Sequence, residues 1–177
     1  MSRAVLRSAA ITLLVALGSS LITLSLQRGL GRTRAGVFPP AFLFSSLSLL
    51  LGSVSLQRSL YWVRREKQRL FRRWLIIGLL CGTMFFGVQT YALQSLFPPD
   101  RSAAEASLGI TVFLSALATL HAMHFVVAVL FLAFVTAQSS LDRYDHEYYW
   151  GVTVCAWFWH GLGIAWIAIL CVFAIAW

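Results

Sequence analysis

Acidic side chains are scarce in this chain. Six Asp and Glu stand among 177 residues, and charged residues of either sign make up 11%, against about 25% in an average soluble chain. None of the six acids falls inside a long apolar run. That argues against a proton relay of the usual kind, which strings carboxylates together with histidine. Three cysteines, Cys81, Cys155 and Cys171, form no C-x-x-C and no metal-ligand spacing. They read as small packing residues. A nucleotide loop, a nucleophile with a neighbouring base and a paired carboxylate are all missing, so no motif points to chemistry performed by this chain itself. No linker, low-complexity segment or internal repeat divides it, and the length suits a single domain over 1–177.

What remains is apolar. Hydrophobic residues make up 59% of the chain, and stretches 8–27, 35–57, 74–99, 106–141 and 148–177 carry no charge. A helix crossing a hydrocarbon core of about 30 Å needs about 20 apolar residues. Each stretch is long enough for one crossing. None shows the alternating pattern of a membrane barrel, and backbone groups in lipid must be paired within their own segment. The expected fold is therefore an all-α bundle of five transmembrane helices, over about 8–27, 37–57, 74–97, 107–138 and 149–176. The first stretch also has the outline of a secretory signal, with Arg3 and Arg7 ahead of it and Gly18-Ser19-Ser20 as a cleavage zone. The apolar run continues past those small residues to Leu26, so it is read as an uncleaved span.

The fourteen Lys and Arg set an orientation. Seven lie between the second and third spans, at Arg58, Arg64, Arg65, Lys67, Arg69, Arg72 and Arg73. With that loop inside, Arg3, Arg7 and Arg143 join it, which leaves Arg28, Arg32, Arg34 and Arg101 outside. The positive-inside rule then predicts a cytoplasmic N-terminus and a periplasmic C-terminus. The net charge of +8 needs no nucleic acid to explain it. Tyr61, Trp62, Leu70 and Phe71 are interleaved with the cations, as aromatics and snorkelling Arg stems are at a membrane surface. Arg64, Arg65, Lys67, Arg69, Arg72 and Arg73 are the candidates for contact with phospholipid headgroups.

Small and hydroxyl residues mark helix contacts in lipid. Thr12, Ala16, Ser19 and Thr23 form such a stripe on the first helix. Ser45, Ser48, Gly52 and Ser55 form one on the second, Gly78 and Gly82 on the third, and Gly161 and Gly163 on the fifth, beside Trp159 and Trp166. The ionisable residues within the spans are His121, His124 and His160; His146 stands among charged loop residues. An intramembrane ionisable group is a functional candidate by default. Three readings stay open on these residues alone. The histidines could ligate a b-type haem, His160 pairing with His121 or His124. They could relay protons. They could also be neutral residues hydrogen-bonded inside the bundle, with Thr119, Thr153 and the serines of the first two helices as partners.

The residues around these histidines resemble a known family, subunit III of the haem-copper terminal oxidases. Leu120-His121-Ala122-Met123-His124 is similar to the family's H-G-x-H-V motif. The run from Val152 to His160, ending Trp157-Phe158-Trp159-His160, resembles its V-E-x-x-A-x-Y-W-H-F, with Trp166 at the following V-W. Pro39-Pro40 and the segment Ser53-Val54-Ser55-Leu56-Gln57-Arg58 resemble its PP…SS-x-T-x-Q-R helix. The basic stretch 64–74 resembles the linker that ends R-R-W-L, and Phe85-Phe86-Gly87-Val88-Gln89 resembles F-L-x-x-Q. The resemblance covers most of the chain in order, and five spans match the short form of that subunit.

The resemblance implies a non-catalytic accessory subunit in the inner membrane of a bacterium. It implies no cofactor or metal in this chain, with haem and copper in partner subunits. It implies a catalytic oxidase subunit and phospholipids as partners, and a supporting part in stability and proton uptake while the complex reduces oxygen. His121, His124, Trp159, His160 and Trp166 would be its intramembrane structural motif. The chain departs from the family at a set of buried acids, since Ser20, Ala92, Thr153 and Gly163 stand at the acid positions. A small b-type cytochrome anchor is the alternative. A transporter component is a third reading, which an intramembrane charge or a broken helix would have favoured; the sequence displays neither.

Overall fold

The computed structural model describes residues 3–30, 41–96, 109–145 and 147–176. Pro39, Pro40, Arg32, Arg34, Arg101 and His146 lie outside them, as do the side chains of Thr12, Ala16, Ser20, Thr23 and Arg28. The described residues form five helices: α1 Arg3–Leu30, α2 Ala41–Val63, α3 Gln68–Leu96, α4 Gly109–Ser139 and α5 Trp150–Ala176. No strand occurs among the described residues. Three segments are long and apolar enough to cross a membrane, Gln68–Gln94, Ser115–Ser139 and Trp150–Val172, and α1 carries a shorter apolar segment, Leu13–Leu26.

Four helices close a ring. α2 packs on α3, α3 on α4, α4 on α5 and α5 back on α2, while α1 lies outside against α3 and α4. The polar character of α2 comes from its serines, and these are satisfied locally. The hydroxyls of Ser45, Ser46, Ser48, Ser55 and Ser59 each donate to a carbonyl three or four residues earlier. A serine satisfied in this way can be buried without a stranded donor, and its small size brings α2 close to α3. α1 reaches α3 through glycine. A methyl added at Gly87 would stand 2.8 Å from both Ile22 Cβ and the Ser19 carbonyl, and one at Gly18 would stand 3.1 Å from Thr83.

One end of the bundle gathers the N-terminal turn, the α2–α3 turn and the α4–α5 loop. The Arg7 guanidinium donates to the Ser140 carbonyl and hydroxyl at 3.1 and 3.2 Å. Arg72 pairs with Asp142, and the Gln68 amide donates to the Tyr144 carbonyl at 2.8 Å. Both chain reversals use the same helix stop. Glu66 (φ 59°) and Asp142 (φ 54°) take the left-handed conformation. Lys67 N–H then bonds Trp62 O and Glu66 N–H bonds Val63 O, while Arg143 N–H bonds Gln138 O and Asp142 N–H bonds Ser139 O. This double bond pattern satisfies the last carbonyls of a helix. The basic stretch read as a loop over 58–73 is thus a turn of a few residues. α2 and α3 run on through most of the cations, because charge ends an apolar run without breaking a helix.

Tyr144 anchors this end. Its ring meets Phe71 edge-on at 6.5 Å and stacks on Tyr148 at 6.3 Å. Burial, and then the neighbouring Tyr148 and Cys155, push its phenol above the ordinary tyrosine value. A methyl added at Gly151 would meet the Tyr144 hydroxyl at 2.7 Å. Asp145 orders the chain ahead of α5 by accepting from the Glu147 and Tyr148 N–H groups.

Candidate functional site: an aromatic–histidine core

The ring of helices encloses two tryptophans, both on α5. Trp159 is wholly buried. Its ring lies between two glycines on different helices, where an added methyl would sit 2.6 Å from it at Gly52 on α2 and 2.8 Å at Gly82 on α3. Phe125 of α4 packs at 5.1 Å, and the indole N–H points to the Leu49 carbonyl at 3.4 Å. One side chain therefore touches the three other helices of the ring. Small residues at 52 and 82 are what leave room for it.

Two turns further along α5, Trp166 repeats the arrangement. It packs against Phe42 of α2 and Phe85 of α3, each at 5.9 Å, and stacks on His121 of α4 at 5.5 Å with 24° between the planes. Its indole N–H donates to Ser46 Oγ at 3.1 Å. Phe85 and Phe125, 4.3 Å apart, join the two tryptophan layers.

The three histidines have separate environments. His160 contacts Ser53 Oγ on α2 at 3.2 Å through Nδ1. His124 is exposed, and its Nδ1 donates to the Leu120 carbonyl of its own helix at 2.8 Å. His121 is buried, and its Nε2 has no hydrogen-bond partner among the described residues. Thr119 and Thr153 hydroxyls bond the Ser115 and Tyr149 carbonyls instead of any histidine. His160 and His121 sit at different levels of the bundle. His160 is held at the level of Ser53, while Trp166, which covers His121, is held at the level of Ser46. Seven residues of helix separate those levels by roughly 10 Å, so the two rings do not face a common centre.

Gln89 was legible only as part of a motif, yet it completes this layer. The antiparallel pairing of α3 with α4 sets Gly78 near Leu132, Gly82 near Val129 and Phe85 against Phe125. The next turn puts Gln89 opposite His121. Gln89 is 4% exposed and its amide has no hydrogen-bond partner among the described residues. Phe85 was legible only in the same motif, and Phe42, Ser46 and Phe125 escaped sequence reading, because which apolar residue meets which ring depends on register between helices.

Three of the four positions at which the resembled family carries acids have described surroundings. Ala92 is wholly buried, Thr153 is 9% exposed, and a methyl at Gly163 would meet only Leu49 at 3.8 Å. Among the described residues no buried side chain carries a formal charge. A carboxylate in such surroundings would be unpaired, which is costly. Gly161, marked from its size as a contact residue, faces open space, with nothing within 4 Å of an added methyl.

The headgroup candidates divide. Arg64 lies over the Tyr149 ring at 5.0 Å, Arg65 over Tyr61 at 4.2 Å and Lys67 over Trp62 at 5.3 Å. Arg72 is committed to Asp142. Arg69 and Arg73 are exposed.

No family model matches the chain. It is similar to a protein of Staphylococcus aureus (strain USA300) named probable quinol oxidase subunit 3, at 27% identity over 153 residues, covering 82% of this chain and 74% of that protein. A Staphylococcus saprophyticus protein of the same name is 24% identical over 150 residues, with the same coverage. These relatives bear out the resemblance to subunit III of haem-copper oxidases that the motifs carry.

Proposed function

We propose that this chain is a non-catalytic, subunit III-like component of a bacterial haem-copper oxidase. The observation that carries the reading is the coincidence of two things. Relatives named for that subunit match most of the chain, and the motif residues Trp159, His160 and Trp166 are spent on packing one helix against three others. In this reading the chain binds no redox cofactor, and haem and copper belong to a partner subunit. Its part is to pack beside that subunit in the inner membrane, hold phospholipid at the interface and support proton uptake during oxygen reduction.

Purification through a tag in mild detergent tests the proposal. The chain is expected to emerge with a larger multi-helix subunit containing haem and copper. Recovery alone, or with partners lacking both, would defeat the assignment.

All five helices cross the membrane in this reading, with the α2–α3 turn in the cytoplasm. The N-terminal turn, the α2–α3 turn and the α4–α5 loop share one end of the bundle, and that end carries ten of the fourteen cations. With the three native cysteines replaced by serine, Lys67→Cys is therefore expected to react with a membrane-impermeant thiol reagent only after the cells are opened. Efficient labelling of intact cells would reverse the orientation.

A further inference from the structure

We propose that the junction of α1, α3 and α4 binds a structural water molecule, held by Gln68, Arg72 and Gln138. Three side-chain atoms of these residues are shielded from solvent and have no hydrogen-bond partner among the described residues: Gln68 Oε1, Arg72 Nε and Gln138 Oε1. Two of the side chains are fixed at their other ends. The Gln68 amide donates to the Tyr144 carbonyl at 2.8 Å, which settles which end of that amide is oxygen. Arg72 pairs with Asp142 through Nη2 and leaves Nε to the interior. Helix register gathers the three. α3 and α4 are antiparallel, with Gly78 near Leu132 and Phe85 against Phe125. Continued toward the turn end, that register sets Arg72 and Gln138 at one level. Gln68 lies one turn before Arg72 on the same face of α3. α1 is parallel to α3, with Gly18 against Thr83 and Ile22 against Gly87. The same continuation brings Arg7 to the level of Arg72, and Arg7 does reach Ser140 just beyond Gln138. α1 thereby closes the junction from outside.

The polarity of the three atoms selects the ligand. Arg72 Nε–H is a donor, and the two amide oxygens are acceptors. A ligand between them must accept once and donate twice. A metal cation is repelled by the guanidinium, and an anion meets two carbonyl oxygens that offer it no proton. Water meets all three demands and keeps one lone pair. Buried waters typically make about three hydrogen bonds, to groups that are otherwise unmet. Without it, each of the three groups carries the desolvation cost of a buried polar atom left alone. The water ties the first turns of α3 to the last turn of α4, beside the Arg72–Asp142 pair, and it explains why a glutamine stands at the end of an apolar helix. The inference is independent of the oxidase reading.

Nuclear magnetic resonance of the full chain in detergent, with nitrogen-15 in its arginines, tests it. The readout is magnetisation transfer from water to each Arg Nε–H, measured in the rotating frame, where cross-relaxation and proton exchange have opposite signs. The Arg72 signal, assigned by its loss in Arg72→Lys, is expected to show cross-relaxation with a long-lived water. Arg69 and Arg73, which are exposed, should show exchange only. Gln138→Leu takes away one acceptor, so the Arg72 cross-relaxation should be lost while the Arg69 and Arg73 signals stay unchanged. Gln68→Leu should act in the same way, and serves if the first variant does not fold. A parent protein whose Arg72 Nε–H shows no cross-relaxation with water would overturn the proposal, since a direct bond from Nε to either glutamine gives that result. Cross-relaxation that persists undiminished in a folded glutamine variant would overturn it as well, because the water would then be held by other groups.

Discussion

Gly82→Ala and Gly52→Ala are expected to lower the melting temperature of the bundle by about 4–8 °C each. Helix propensity alone predicts the opposite sign, since alanine is favoured over glycine in a helix interior by about 1 kcal/mol. The steric term is larger. The new methyl would stand 2.6 Å from the Trp159 ring at position 52 and 2.8 Å at position 82, and the ring cannot withdraw. Trp159 is wholly buried, with Phe125 behind it at 5.1 Å and its N–H aimed at Leu49. Overpacking of this kind costs typically 1–3 kcal/mol, and in a chain of this length 1 kcal/mol corresponds to about 2–4 °C. Two glycines press on opposite parts of a single rigid ring, which places the effect toward the upper end.

Two controls separate the mechanism from a general intolerance of change. Gly161→Ala meets nothing within 4 Å, so only propensity acts there, and that variant should be unchanged or slightly more stable. In a Trp159→Phe background, Gly52→Ala should lose most of its penalty, a coupling that a double-mutant cycle isolates. With Cys81 and Cys171 replaced by serine, the melt can be followed by a thiol-reactive dye, because Cys155 is 2% exposed in the folded chain. A Gly82→Ala protein that melts at or above the parent temperature would show that the ring has room to move.

The glycines also show how far the sequence reaches. Gly52 and Gly82 stand out in it as small residues at helical spacing, and so does Gly161. Composition cannot say which large side chain fills a notch, or whether any does. Two of the three turn out to hold Trp159 and the third to face open space. The helices themselves were legible because hydropathy is a local property, and each expected span lies largely within one observed helix. Their ends were less so, since α3 begins at Gln68 within the basic stretch. The histidines divide in the same way. His160 and His124 find a serine and a backbone carbonyl, partners of the expected kind. His121 lies against Trp166, more than forty residues away in sequence.

The Trp166 layer should respond to substitution in opposite directions. Trp166→Ala removes a ring that touches Phe42, Phe85 and His121 on three other helices. A buried tryptophan cut to alanine costs about 3–5 kcal/mol, so a melting temperature lower by about 10 °C or more is expected. Ser46→Ala keeps the ring and removes the acceptor of its N–H; a stranded buried donor costs about 1–3 kcal/mol, a smaller loss. His121→Phe acts the other way. The ring stack on Trp166 is preserved, while the buried Nε2 that lacks a partner is removed. Taking away an unmet polar group can be neutral or stabilising, so this variant should melt at or above the parent temperature. Gln89→Leu should behave alike, since its buried amide has no hydrogen-bond partner among the described residues. A marked loss of stability in His121→Phe, comparable to that of Ser46→Ala, would mean that Nε2 makes a hydrogen bond in the membrane, and the stacking account of this histidine would then fail.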